Sequence, residues 1–163
     1  MSKAVAVEAK KAPNTKNVTN KSPRHRAREL AMQGIYQWRI TAGDEAKIEK
    51  QIQSEKNIGR FDKELFAKLL RGALSHHADI EALITPHLDR PLEELSPVEF
   101  AVLLLGVFEL VQNLEVPYRV VINEAVELAK TFGGTDGHKF VNGVLDKLAP
   151  QVRALECAAD SKP

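Results

Sequence analysis

The sequence predicts an all-α domain of six or seven helices, and three observations carry that prediction. Apolar residues recur at spacings of three and four along most of the chain. Serine, aspartate, glycine and proline fall where they divide this pattern into helix-sized pieces. No segment alternates apolar and polar residues at a spacing of two for long enough to make a convincing strand.

Residues 1–22 show no apolar periodicity and read as a flexible basic tail. Ser22-Pro23 is a cap followed by a proline suited to a first helical turn. The first helix runs from there to about Arg39. Ala27, Leu30, Ala31, Gly34, Ile35 and Trp38 form its apolar stripe, and Arg26, Glu29 and Gln37 are expected to face water. Gly43-Asp44 ends this helix and caps a polar second one, roughly 44–56, with Gly59 as its stop. A longer helix is expected from about Arg60 to Ile84, on the face made by Phe61, Leu65, Phe66, Leu69, Leu70, Ala73 and Leu74 and continued by Ile80, Leu83 and Ile84. Thr85-Pro86 ends or kinks it.

Ser96-Pro97-Val98-Glu99 reads as a capping box, opening a helix to about Asn113 that is apolar nearly all round and therefore central. Pro117 begins another, to about Phe132, where Gly133-Gly134 breaks it and Asp136 can cap the next. Val141, Val144, Leu145, Leu148 and Val152 form the stripe of a last helix to about Leu155, with a kink expected at Pro150. The domain is thus expected over 23–155, with 156–163 as a frayed tail.

The chain has 163 residues, of which 44% are hydrophobic and 28% charged, so it can bury a core. The longest apolar run, Phe100 to Phe108, falls well short of the about 20 residues of a membrane span. The first residues lack the pattern of a secretory signal. Cys157 is the single cysteine and cannot form an internal disulfide. A cytoplasmic protein with no membrane partner is the expectation. The net charge of +1 conceals a split: residues 1–28 carry eight Lys or Arg against Glu8, whereas the remaining 135 residues carry a net −6. A basic arm on an acidic body suits a protein that grips phosphates, and equally a solubilising tail.

Nothing points to an enzyme. His76, His77 and His87 lack metal-site spacing and a companion carboxylate motif. Gly133 to Lys139 misses the spacing of a phosphate loop of nucleotide hydrolases, and a helix rather than a strand precedes it. No local nucleophile motif stands out, and no metal or cofactor is expected.

Two places could instead receive an anion. The glycine-rich turn presents the start of the last helix beside Lys139, and Phe140 offers a ring for a base to stack on. Each of these residues has an ordinary use too: Asp136 as a cap, Phe140 as core, Lys139 as a solvated charge. At the other place, Arg24, Arg26 and Arg28 crowd a helix start, where cations sit badly. Without local compensation, that cost hints at a phosphate partner.

Three stretches resemble the NusB family of transcription antitermination factors. Arg26-Ala27-Arg28-Glu29-Leu30-Ala31, with Gln33, Tyr36 and Trp38, is similar to the family's opening helix. The run from Val116 to Lys130 is similar to its most recognisable stretch, and His138 to Asp146 follows in the same order and separation. The resemblance covers about Pro23 to Leu155 and implies about seven helices in two small packed bundles, with no catalytic activity.

It also implies binding of the boxA element of ribosomal-operon leader RNA. Family members pair with NusE, a small-subunit ribosomal protein, and join NusA, NusG and RNA polymerase in a complex that resists termination. By match to the family pattern, Arg24, Arg26, Arg28, Asp136, Lys139 and Phe140 would contact RNA, and Tyr36 and Glu99 would serve function or the NusE-facing surface. Both monomers and homodimers occur in the family. Two departures stand out. His25 replaces a frequent arginine, so the arm is expected to lose a charge near neutral pH, and residues 1–22 lie outside the pattern. Gly143, inside the last helix, costs about 1 kcal/mol against alanine and suggests close approach by a helix or by RNA. The competing reading is a helical protein–protein adaptor whose basic tail is incidental.

Overall fold

The computed structural model describes residues 22–160, so the expected tail lies outside the described residues except for Ser22. These fold into eight α-helices and two 3₁₀ turns, one helix more than the sequence suggests. Helix α1 spans Pro23–Thr41, with the Ser22 hydroxyl accepting the His25 N–H at 3.0 Å. It ends where Ala42, at φ 52°, takes the left-handed conformation and donates its N–H to the Trp38 carbonyl. Helix α2, Glu45–Gln53, is capped by Asp44 and buries Ile48 and Ile52. It stops three residues short of the expected end, and the chain turns through Asn57 at φ 63° and Gly59 at φ 81°. The stripe residue Gly34 has a steric reason to be glycine. A Cβ there would lie 2.7 Å from a Leu70 methyl and 3.2 Å from an Ile52 methyl, so these side chains would have to shift to admit it.

The expected long helix from Arg60 to Ile84 is two helices, α3 at Lys63–Ser75 and α4 at His77–Ile84. They meet at His76, whose φ of −108° and ψ of 15° are not helical. The reason is visible in the pattern: from Leu74 to Ile80 the stripe steps by six positions rather than three or four, which turns it by about 120° around a helix. Thr85–His87 and Leu92–Glu94 form the 3₁₀ turns of the connection. The Ser96 hydroxyl then accepts the Glu99 N–H at 3.1 Å to open α5, Pro97–Gln112.

Helix α5 is the central element, with every residue from Phe100 to Leu110 buried. It packs against α1, α3 and α4 on one side and against α6 (Tyr118–Phe132) and α7 (Gly137–Val152) on the other. One continuous apolar cluster spans both sides. Each fully buried Leu, Ile or Phe within it contributes about 1.5–3 kcal/mol relative to exposure. Beyond Pro150, which lies inside α7, a short helix α8 covers Ala154–Asp160 where a frayed end was expected. Its carboxylates hold it: Glu156 accepts the Tyr118 N–H at 2.8 Å, and Asp160 accepts from the Tyr118 hydroxyl and from Arg119.

Candidate nucleic-acid interface

The three arginines of the arm have different surroundings. Arg24 is exposed and lines an open groove of about 540 Å³ with Arg28, Glu115, Val116, Pro117 and Glu124. Arg26 is half-buried, donating Nε to the Ile58 carbonyl at 2.9 Å and Nη1 to Glu29 at 2.9 Å. Arg28 is only 4% exposed. Its Nε and Nη2 meet Glu109 Oε1 and Oε2 at 2.7 and 3.0 Å, a two-pronged buried pair between α1 and α5.

Two expectations about this helix need correction. Glu29 does not face water: it is fully buried, paired with Arg26 and 3.4 Å from His25 Nε2. The crowding of cations is not left uncompensated either. Glu29, Glu109 and Glu124 meet them, two of these carboxylates arriving from α5 and α6.

His25 is clamped in the same network, Nδ1 lying 2.9 Å from Glu124 Oε1. The hydrogen bond with Glu124 and then that with Glu29 raise its pKa to about 9, against the opposing effect of burial. The arm therefore keeps this charge at neutral pH, contrary to the expectation from a free histidine. Because the folded pKa lies above the unfolded value of 6.5, the stabilisation is complete below pH 6.5 and disappears as pH rises through 9. We expect about 1–2 kcal/mol of stability to be lost between pH 6 and pH 9.5, after discounting for solvent screening of a partly exposed pair. His25→Gln should remove most of that slope in urea-denaturation midpoints. An unchanged slope would assign the pH dependence to another group.

The second region forms where α6 ends. Gly133 terminates α6 in an extended conformation, and a Cβ there would lie 2.6 Å from the Ala129 carbonyl oxygen. Asp136 occupies the N-cap position of α7 without a side-chain cap bond; its Oδ1 instead lies 3.5 Å from Lys139 Nζ. Both side chains are largely exposed, at 77% and 73%. Phe140 is half-buried against the core, and the Arg90 guanidinium carbon lies over its ring, 4.5 Å from the centroid. No periodicity in the sequence marks Arg90, which lies in the irregular connection between the 3₁₀ turns.

Glu99 belongs to this region as well. Rather than closing the expected box, its carboxylate turns toward α7, with Oε2 3.3 Å from where a Gly137 Cβ would stand. Tyr36 packs half-buried on α1. Gly143, one turn beyond Phe140, is exposed, and nothing described comes within 4 Å of its missing Cβ. No described helix explains this glycine. The two regions lie toward opposite ends of α6, whose 15 residues span about 22 Å.

Among the described residues, no group of three His, Cys, Asp or Glu side chains could hold a metal ion. No described helix is long and apolar enough to cross a membrane. The described residues form an all-helical domain with exposed cationic groups toward both ends of one helix.

The model of the NusB family matches residues 25–150, and the chain belongs to that family. It is 55% identical over 139 residues to the transcription antitermination protein NusB of Ralstonia pickettii (strain 12J), covering 85% of this chain and 90% of that one. Among solved structures, NusB of T. maritima superposes with a TM-score of 0.73 at 30% identity, covering 85% of this chain and 99% of that one. A second structure, described as antitermination factors NusB and NusE in complex with dsRNA, gives a TM-score of 0.71 at 31% identity, covering 78% and 96%. The family is one of antitermination factors and not of enzymes.

Proposed function

We propose that this protein is a cytoplasmic antitermination factor that binds boxA-type RNA of ribosomal-operon leaders together with NusE. NusA, NusG and RNA polymerase complete the assembly it enters. The observation that carries this reading is the pair of exposed cations, Arg24 above its groove and Lys139 at the start of α7, on a chain of the NusB family. The solved complex of a similar protein with NusE and dsRNA supports it.

The residues of the arm and of the second region divide the work. Arg24 and Lys139 meet phosphates, and the side chain of Phe140 supports a base. Arg26 and Arg28 hold the arm against the body, so that Arg24 is presented from a rigid helix. Asp136 competes with phosphate for Lys139 in the free protein. Tyr36 and Glu99 serve the partner-facing surface, Glu99 lying against Gly137 at the start of α7. A basic partner touching both protein and RNA adds contacts to one surface, so affinity for RNA should rise in its presence.

Fluorescence anisotropy with a boxA-type RNA and a scrambled one tests this, with and without NusE. The boxA RNA should bind better and tighten with NusE. For Arg24→Ala/Lys139→Ala, the log–log salt slope should shrink by about 1.4, two contacts at about 0.7 each. Equal, salt-sensitive binding to both RNAs, indifferent to NusE, would favour the protein–protein adaptor instead.

A further inference from the structure

The face of Phe140 that would receive a base is already covered by Arg90. Resting on the RNA-binding reading, we propose that Arg90 is itself a base-stacking residue, forming a middle layer between the Phe140 ring and a nucleobase of single-stranded RNA.

A guanidinium is planar, with two faces and a donor-bearing edge. At Arg90 the edge is engaged by Asp89, with Nε to Oδ1 at 2.8 Å and Nη2 to Oδ2 at 3.4 Å. The guanidinium carbon lies over the Phe140 ring, 4.5 Å from the centroid. The side chain remains 39% exposed, and Asp89 is 71% exposed, so this stack lies at the surface. Stacking on a guanidinium plane is a general way for a protein to hold an unpaired base.

The protein contains an inward counterpart that shows the difference. Arg39 lies 4.1 Å from the centroid of the Phe100 ring, but Phe100 is fully buried and the Arg39 Nη2 donates to the Leu92 carbonyl at 3.4 Å. That stack closes the core. The Arg90 stack has the same components turned outward, one helical turn before the exposed Gly143.

Asp89 keeps its charge readily, since the Arg90 hydrogen bond, with a smaller contribution from Lys147, holds its carboxyl below the usual range. The guanidinium edge thus stays paired while its outer face takes the base. RNA binding through Arg90 should release no counterion, which separates this contact from those of Arg24 and Lys139.

The test uses single-stranded boxA-type RNA carrying 2-aminopurine at each position in turn, whose fluorescence falls on stacking. The protein variants are Arg90→Lys and Arg90→Ala, with thermal unfolding confirming their fold. At one RNA position, quenching should disappear in both variants, affinity should fall roughly tenfold, and the salt slope should stay that of the parent chain. Lysine should give no rescue, because it keeps the charge and loses the plane.

Parent-like binding and quenching with Arg90→Lys would overturn the proposal and reduce Arg90 to a charge. Tighter binding by Arg90→Ala would overturn it in the other direction, making Arg90 a cover over Phe140. If Phe140→Ala impairs binding while Arg90→Lys does not, the RNA reading stands and the Arg90 layer falls. Absence of RNA binding by the parent chain overturns both.

Discussion

Arg28→Ala should destabilise the protein by about 3–5 kcal/mol, the cost of leaving a buried carboxylate without its partner. Glu109 is 2% exposed and lies at the end of the most apolar helix. Besides Arg28 it accepts the Asn113 side-chain amide at 3.0 Å, while Lys68 donates to the Asn113 oxygen at 2.9 Å. Arg28 Nη1 also lies 3.6 Å from Glu124, so the arginine ties α1 to both α5 and α6. Urea denaturation should show the loss as a lower midpoint with little change in slope.

The double variant Arg28→Met/Glu109→Met should lose less than the single one, since it removes both buried charges and leaves chiefly the Asn113 amide unsatisfied. This variant also separates the two possible uses of Arg28. Because the fold survives, RNA affinity can be compared directly with that of the parent. Affinity within about twofold makes Arg28 a brace for Arg24. A loss above about tenfold, in a folded protein, would return Arg28 to the phosphate-binding surface.

The arm shows where sequence pattern stops being informative. Its helix, its Ser22-Pro23 start and its buried stripe follow from local spacing and capping chemistry. The partners of its charges do not, because Glu109 and Glu124 are 81 and 96 residues from Arg28 and approach only once α5 and α6 pack. One signal was present. A glutamate closing the apolar run Phe100 to Phe108 has to be buried if that helix is central, and a buried carboxylate requires a cation. Arginine in α1 is where that requirement is met. His25 follows the same logic, its raised pKa depending on Glu124 far along the chain.

The second region was legible in part. Lys139, Phe140 and Asp136 stand together because a glycine break followed by a helix start is a local event. Arg90 and the turned carboxylate of Glu99 come from other elements and meet α7 through tertiary packing alone. The split of the expected long helix at His76 was, by contrast, a local signal, carried by the six-position step from Leu74 to Ile80 in its apolar stripe.

Arg153→Ala should cost a comparable 3–5 kcal/mol, and through a different mechanism: it uncaps one helix and loosens two others. Arg153 is 5% exposed, just past the end of α7. Its Nε donates to the Leu110 carbonyl at 2.7 Å, and Nη2 to the carbonyls of Glu109 and Asn113, each at 3.2 Å. These lie at and just past the C-terminal end of α5, where a cation is favoured by the helix dipole; the Glu109 and Asn113 carbonyls also accept the N–H groups of Asn113 and Val116. Nη1 reaches the Val116 carbonyl at 2.9 Å and Glu156 Oε1 at 2.6 Å.

Glu156 in turn takes the first N–H of α6 from Tyr118, at a helix start where Pro117 offers no side-chain cap. One arginine therefore joins the end of α5, the turn after it, the start of α6 and helix α8. In a chain of this size the loss corresponds to roughly 10–20 °C in Tm. Arg153→Lys should recover only part of it, because one ammonium cannot span carbonyls that the planar fork reaches from three nitrogens. Hydrogen exchange supplies the decisive readout: the Tyr118 amide should lose protection in Arg153→Ala more than amides in the middle of α5. Uniform loss across both would mean general destabilisation without the link through Glu156, and retained Tyr118 protection would show that α8 holds its place without Arg153.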